Sequence, residues 1–116
     1  MHSLEAFFGQ VREINAWLDR ENGGLIDASH DDAMRVMKIG EEYGEAVQAY
    51  IGMTGQNPRK GVTHSLPDVL AELADVVVTG LAAIQHFTGD DAETMRIMLD
   101  KLDAIRDRIE RQPVAS

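Results

Sequence analysis

The stretch VLAELADVVVTGLAAI, which runs from Val69 to Ile84, decides the fold. It is apolar on nearly every side of a helix, which is typical of a helix buried in the core of a domain. The run Val76 to Val78 would suit a strand, but it lies within a segment of helical length. Because Ser65 is a good N-cap and proline suits the first turn, we predict a helix from Pro67 to about Phe87 that is the most buried element of the fold.

The sequence on either side is also helical in its pattern. Apolar residues at three- and four-residue spacing predict a first helix from Leu4 to about Asp19, a second from about Asp31 to Met53 and a fourth from Asp91 to about Arg111. Asp90 and Glu93 have the spacing of a capping box at the start of the fourth helix. We therefore expect the 116 residues to form one all-α domain, a four-helix bundle with short loops.

The composition excludes several classes of function. The chain has a net charge of -9, a pI of about 4.7 and no cysteine. A chain this acidic offers no broad basic surface to duplex nucleic acid or to an anionic membrane, and no apolar run approaches the ~20 residues of a membrane span. Without cysteine there is no disulfide, zinc thiolate or thiol nucleophile. The first residues lack a signal-peptide pattern, so we expect a cytoplasmic protein.

Two acidic clusters carry the functional signal. Glu42 and Glu45 are three residues apart, as are Glu72 and Asp75, so each pair points from one face of its helix about one turn apart. Like charges at this spacing repel, and carboxylates within an apolar helix need a counter-charge. Oxygen ligands from two facing helices suit a hard cation, so we predict that these four residues bind Mg²⁺ or Mn²⁺. The alternative is that both clusters are solvated helix faces.

The order of these acidic residues resembles the motif of a known family. Glu41-Glu42-x-x-Glu45 followed on the next helix by Glu72-x-x-Asp75 is similar to the pattern of MazG-like nucleoside triphosphate pyrophosphohydrolases. Their all-α superfamily also includes the dimeric dUTPases and phosphoribosyl-ATP pyrophosphohydrolase. The resemblance covers the second and third predicted helices and the loop between them. It implies a fold of the all-α NTP pyrophosphatase type, assembled as a homodimer or homotetramer.

The resemblance also implies a reaction. An NTP or dNTP would be hydrolysed between its α- and β-phosphates, which releases the monophosphate and pyrophosphate. In the family, the residue at the position of Glu41 is associated with a further metal ion or with the attacking water. We therefore assign Glu41 as general base or as ligand of a second metal. The base and sugar preference do not follow from the motif.

Three cations near the clusters are candidates for binding phosphate. Lys38 lies one turn before Glu42 on the same helix face, so it either contacts a phosphate or pairs with Glu42 or Glu45. Arg59 and Lys60 are the only adjacent basic residues in the loop that joins the acidic helices. They could close over the β- and γ-phosphates, and the alternative for them is a solvated loop.

Two other functions use similar arrangements of acidic residues on helices. A di-iron carboxylate bundle also uses glutamates on antiparallel helices, but it needs Glu-x-x-His motifs, and neither cluster has a histidine at that offset. A non-catalytic helical module that binds a nucleotide or a metal ion would keep the same carboxylates, and it remains the alternative to an enzyme. Turnover of a nucleotide with magnesium would separate the two.

Several apolar and small residues are expected at contacts. Trp17 either stacks on a base or packs in the core, and the core is favoured. Gly40 and Gly44 each cost about 1 kcal/mol relative to alanine within a helix, so we expect a helix or a ligand to approach there. Tyr43 and Tyr50 flank the first acidic cluster and face either the ligand or a neighbouring subunit. The apolar surface exceeds what one small chain can cover, which also predicts a homo-oligomer.

Overall fold

The computed structural model describes residues 3–22 and 28–112, and it is helical through most of them. Its helices are α1 (Leu4–Asn22), α2 (Ala28–Thr54), α3 (Leu66–Thr88) and α4 (Asp91–Glu110). The predicted all-α class is confirmed for the described residues, which contain no strand. Each helix begins and ends within three residues of its predicted bounds. No helix in the described ranges is both long enough and apolar enough to cross a membrane.

The ends of α3 follow the predicted capping chemistry. Ser65 is the N-cap, and its backbone N–H donates to Oδ2 of Asp68 at 2.9 Å while its hydroxyl donates to the same oxygen at 3.0 Å. These two hydrogen bonds hold the pKa of Asp68 below its ordinary value. At the other end Gly89 adopts a left-handed conformation with φ of 66°, and its N–H donates to the carbonyl of Gln85.

The start of α4 is capped on one side only. Asp90 accepts from the N–H of Ala92 at 2.9 Å, as expected of an N-cap. The predicted reciprocal bond from Glu93 is wrong, because the N–H of Asp90 donates to the hydroxyl of Thr88 at 3.2 Å. Glu93 instead accepts from the guanidinium of Arg96, a charge-assisted bond that is stronger than one to a backbone amide.

The apolar core is small and rich in alanine. α3 is central, since it packs against each of the other three helices, and its contact with α2 is the most extensive. Trp17 was expected in the core but is about half exposed, because the buried face of α1 follows Phe8, Val11 and Asn15 and turns away before Trp17. The buried apolar residues are Phe8, Val11, Ala46, Ala49, Val69, Ala82 and Ala83.

A buried polar network ties α1, α2 and α3 together. The side chain of Arg35 is almost fully buried, and its Nη1 donates to Oδ1 of Asn15 at 2.7 Å. Its Nη2 and Nε donate to the carboxylates of Asp19 and Asp31. Asn15 in turn donates to Oε1 of Gln85 on α3 at 2.7 Å. Arg35 is therefore bonded directly to residues of α1 and α2, and it is linked to α3 through Asn15.

The arrangement is more open than the expected closed bundle. The radius of gyration is 17.9 Å, against about 13 Å for a compact chain of this length. Residues 99–110, the outer half of α4, are exposed throughout. The first half of α3 is also poorly covered, although α3 has, as predicted, the largest share of buried and half-buried residues among the helices in the described ranges. Several apolar side chains in this half of α3, namely those of Leu66, Leu70, Leu73 and Val77, are therefore about half exposed.

Candidate metal centre

The predicted acidic residues of α2 and α3 meet at the contact between these helices. A loop of residues 55–65 reverses the chain, so α2 and α3 form an antiparallel pair. One carboxylate oxygen each from Glu42, Glu45 and Glu72 lies within 4.8 Å of the others. The structure thus brings together three of the four predicted metal ligands, and we call these three residues the carboxylate cluster.

Asp75, the fourth predicted ligand, lies at the edge of the carboxylate cluster. Its side chain is exposed, and its oxygens are not within the same 4.8 Å group. Its charge nevertheless contributes to raising the pKa of Glu42, so the two carboxylates are near neighbours. Asp75 is one turn beyond Glu72 on α3, the spacing at which a second carboxylate can approach the same ion.

Glu42 is the most perturbed carboxylate of the cluster. Burial of its side chain raises its pKa first of all, and the negative charges of Glu45 and Asp75 raise it further. Lys38 opposes these effects, since its Nζ lies 3.5 Å from Oε1 of Glu42. Of the two readings offered for Lys38, the pairing with Glu42 is the one present in the structure. A contact between Lys38 and phosphate remains a prediction.

The surroundings of the Glu72 carboxylate show whether the chemistry of the cluster is compatible with a cation. Its Oε2 is buried and has no hydrogen-bond partner among the described residues. A buried acceptor left without a partner costs about 1–3 kcal/mol, and more when it is charged. Three carboxylates whose one basic neighbour among the described residues, Lys38, reaches only Glu42 are the oxygen-rich set that Mg²⁺ or Mn²⁺ accepts. The donor set therefore fits a divalent cation.

A cleft between α1 and α2 lies beside the carboxylate cluster. It has a volume of about 350 Å³ and is lined by Leu18, Met34, Met37, Lys38, Arg35 and Glu41. Glu41 is exposed at this cleft, which is where the rotation of about 100° from Glu42 places it. Apolar side chains thus line a space that has Glu41 and Lys38 at its polar edge. Its size suits a small molecule.

Arg59 and Lys60 occupy a different position. Both are exposed in the loop, and neither lies within 4 Å of a carboxylate oxygen in the part of the chain that the structure describes. Lys60 lines a separate polar pocket of about 270 Å³ together with Gln48, Asn57 and His64. The structure does not bring this basic pair to the carboxylate cluster, so their role towards phosphate stays a prediction.

The position of this loop depends on a glycine that the sequence did not single out. The N–H of Thr63 donates to the carbonyl of Gly52 at 2.9 Å. A Cβ on Gly52 would clash with the side chains of Thr63 and His64, so a larger residue would require this part of the loop to shift. No helix of this chain approaches Gly40 or Gly44, because a Cβ at either position would meet nothing within 4 Å of the described chain, so the expected approach of a helix is wrong within one chain and that of a ligand stays a prediction.

A second group of acidic residues is held by an arginine. Oxygens of Asp19 and Asp31 and a ring nitrogen of His86 come within 4.8 Å of one another. Arg35 already donates to both carboxylates, so each has a cationic partner without a metal ion. The spacing in the sequence could have identified Arg35 as a buried residue, because it lies seven residues before Glu42 and on the same side of α2.

The raised pKa of Glu42 predicts a pH dependence of stability. Because this carboxyl binds its proton more tightly in the folded chain than at its ordinary pKa of 4.5, folding loses free energy as the pH rises above that value. In the metal-free protein, Glu42 should lower the unfolding free energy as the pH rises from about 4.5 towards neutrality. The variant Glu42→Gln should lack this decrease. Urea titrations across this pH range measure it.

The comparison with the parent isolates Glu42 from the other acids. Asp68 and Glu93 have lowered pKa values and contribute a slope of the opposite sign, but both are unchanged in the variant. The difference between the two profiles therefore belongs to Glu42 and its neighbours. Parallel profiles for Glu42→Gln and the parent would contradict the burial and repulsion inferred for this residue.

The site as a whole can hold a cation next to a space for a ligand. Glu42, Glu45 and Glu72 supply the oxygens, Lys38 supplies a positive charge, and Glu41 lines the adjoining cleft. Such an arrangement suits the binding of a phosphorylated small molecule. Comparison of the chain with family models, with curated proteins and with solved structures finds no match.

Proposed function

We propose that this protein is a divalent-metal-dependent nucleoside triphosphate pyrophosphohydrolase that works in the cytoplasm as a homo-oligomer. It would cleave an NTP or dNTP to the monophosphate and pyrophosphate, as in the sanitation of nucleotide pools. The observation that carries the proposal is the meeting of Glu42, Glu45 and Glu72 with a buried, unpartnered oxygen on Glu72. The MazG-like order of the acidic residues supports the choice of reaction.

The need for a cation follows from charge. A triphosphate is strongly anionic, and the chain itself has a net charge of -9. Without a cation the carboxylate cluster would repel the substrate that the neighbouring cleft receives. Mg²⁺ or Mn²⁺, held by Glu42, Glu45, Glu72 and Asp75, supplies the charge neutralisation that lets phosphate oxygens approach.

The chain's own residues then have separate tasks. Glu41 is exposed to solvent at the cleft, so it can accept a proton from the attacking water without disturbing the partly buried Glu42. Lys38 can turn from Glu42 towards a phosphate, because its present contact is long at 3.5 Å. Leu18 and the two methionines of the cleft offer an apolar surface to the nucleoside, and methionine adapts to different aromatic rings.

Product analysis tests this proposal. A panel of NTPs and dNTPs is incubated with the protein and Mg²⁺, and phosphorus NMR identifies the products. We expect monophosphate and pyrophosphate, because cleavage falls between the α- and β-phosphates. Formation of diphosphate and orthophosphate would reject the assigned bond. Metal or nucleotide binding by calorimetry without any turnover would favour the non-catalytic binding module instead.

A further inference from the structure

A polar pocket lies where the loop after α2 folds back against the end of that helix. It has a volume of about 270 Å³, and we call it the loop pocket. One wall comes from the last turns of α2, and the rest comes from the loop of residues 55–65. No acidic residue is among the described residues that line it. Its polar side chains are those of Gln48, Asn57, Lys60, Thr63 and His64.

Most of these polar side chains can donate to a ligand. Oδ1 of Asn57 accepts from a backbone N–H of the loop at 3.1 Å, so the side-chain N–H groups of Asn57 are left for another partner. Nδ1 of His64 is bonded to the hydroxyl of Thr63 at 2.8 Å, and Nε2 can donate when that hydroxyl is the donor. The side chains of Gln48 and Lys60 have no hydrogen-bond or ionic partner among the residues that the structure describes.

The charge of the loop pocket favours an anion. Lys60 supplies a positive charge, which stands out in a chain with a net charge of -9. Hydrogen bonds from Ser65 lower the pKa of Asp68, and the charge of His64 adds to this effect, so Asp68 lies near the pocket. However, Oδ2 of Asp68 already accepts two hydrogen bonds from Ser65. A cation with neutral donors around it and no acidic lining residue is the environment that an anionic ligand requires.

The loop pocket is held in shape by the packing of the loop on α2. The N–H of Thr63 donates to the carbonyl of Gly52, and the missing side chain of Gly52 leaves room for Thr63 and His64. The N–H of Lys60 donates to the carbonyl of Asn57 at 3.1 Å, which fixes the backbone at the cation. The donors are therefore in place before a ligand arrives, which lowers the entropic cost of binding.

The loop pocket also lies in line with the carboxylate cluster and the cleft. Six residues of α2 follow one another at intervals of four, three, four, three and four, so they share one side of the helix. The first three line the cleft, the fourth belongs to the carboxylate cluster, and the last two line the loop pocket. About 10 Å along the helix axis separates the third residue from the fifth. The six residues are Met34, Lys38, Glu41, Glu45, Gln48 and Gly52.

We infer that the loop pocket binds a phosphate group, with Lys60 as its charged donor and Gln48, Asn57 and His64 as its neutral donors. Phosphate oxygens accept several hydrogen bonds, and the ammonium group of lysine binds them as a point charge. The two cations of the loop then have different roles, because Arg59 is not among the residues that line the pocket.

The line along α2 gives the bound nucleotide a direction. With the nucleoside in the cleft and the α-phosphate at the carboxylate cluster, the terminal phosphates extend to the loop pocket. The pyrophosphate that leaves is thus held by Lys60, at the end of α2 away from the nucleoside. This direction rests on the proposed function, whereas phosphate binding by the loop pocket does not.

Calorimetry with inorganic pyrophosphate tests the loop pocket without metal or turnover. The metal-free parent should bind pyrophosphate, and Lys60→Ala should weaken the affinity about tenfold or more, because it removes a charged hydrogen-bond donor. Lys101→Ala is the matched control, since Lys101 is also exposed but lies on α4. We expect this control to bind as the parent does. Absence of binding to the parent, or equal losses in the two variants, would overturn the inference.

Inhibition kinetics test the direction of the nucleotide. Pyrophosphate should inhibit the parent competitively with the NTP, and Lys60→Ala should raise both the KM for the NTP and the inhibition constant of pyrophosphate. The inhibition constant of the monophosphate should stay the same, because the monophosphate ends before the loop pocket. Inhibition by pyrophosphate that excess NTP does not relieve would assign the pocket to a free anion and overturn the direction.

The loop pocket and the proposed reaction can fail separately. Pyrophosphate binding that depends on Lys60, without hydrolysis of any nucleotide, would contradict the proposed function and support the loop pocket. Hydrolysis by a chain whose pyrophosphate affinity is unchanged in Lys60→Ala would support the reaction and overturn the loop pocket.

Discussion

Replacing Glu72 with glutamine should abolish metal-dependent nucleotide hydrolysis while the helices remain folded. Glu72 contributes the buried oxygen that lacks a partner, so it gains most from a bound cation. Loss of several kcal/mol of charge stabilisation corresponds to a decrease in kcat of about a thousandfold or more. Glu45→Gln should have a similar effect, because its carboxylate belongs to the same group of three. Initial rates of pyrophosphate release measure both.

Stability and cation binding separate a lost ligand from a damaged fold. Without metal, Glu72→Gln should melt at the parent's temperature or higher, because it removes one charge from a repulsive cluster. Added Mg²⁺ or Mn²⁺ should raise the melting temperature of the parent and not that of the variant. Asp100→Asn is the control, since this carboxylate is exposed on α4 and pairs with Arg96. Full activity of Glu45→Gln or Glu72→Gln in magnesium would sink the assignment.

Replacing Arg35 with alanine should cause the largest loss of stability of any single change in α2. Its guanidinium donates to Asn15, Asp19 and Asp31, and its side chain is only 3% exposed. Removing the guanidinium takes the charged donor away from Asn15, which is buried, and breaking a buried network of this kind costs about 3–5 kcal/mol. That is a large part of the 5–15 kcal/mol typical of a whole domain. Urea or thermal unfolding followed by circular dichroism measures the loss.

A surface arginine provides the matched comparison. Arg96 also donates to two carboxylates, those of Glu93 and Asp100, but all three side chains are exposed to solvent. Arg96→Ala should therefore change the unfolding midpoint little, since exposed ion pairs contribute little to stability. Arg35→Lys should recover only part of the loss, because an ammonium group cannot replace the planar fork of donors. Equal midpoints for Arg35→Ala and Arg96→Ala would show that the network does not hold the helices.

The sequence predicted the features that depend on near neighbours in the chain. Helix bounds follow from apolar spacing, and the caps at Ser65 and Asp90 follow from side chains within three residues of the helix start. The meeting of Glu42, Glu45 and Glu72 was predictable for a related reason. Once two amphipathic helices pair, residues at fixed positions on their contact faces are brought together.

Features that depend on distant contacts were missed or wrong. A charged residue such as Arg35 is read from sequence as solvent-facing, and only the positions of Asn15 and Asp19 on another helix reverse that reading. Gly52 is required by a loop more than ten residues further on, while Gly40 is not required by anything in its own chain. Apolar spacing also indicates which face of a helix packs against another element, but it does not identify that element. The exposure of residues 99–110 of α4 therefore could not be predicted from the sequence.

The alanines of the core have a consequence for the proposed cation site. Ala46 and Ala49 are buried on α2, whose main packing partner is α3. The distance between two helix axes is set by the side chains at their contact, within about 8–10 Å, and alanine favours the short end of that range. Glu45 and Glu72 project from these same helices, so their separation follows the separation of the axes. For the proposed cation, the ionic radius that the carboxylates accept would thus be set by methyl groups that do not touch the ion.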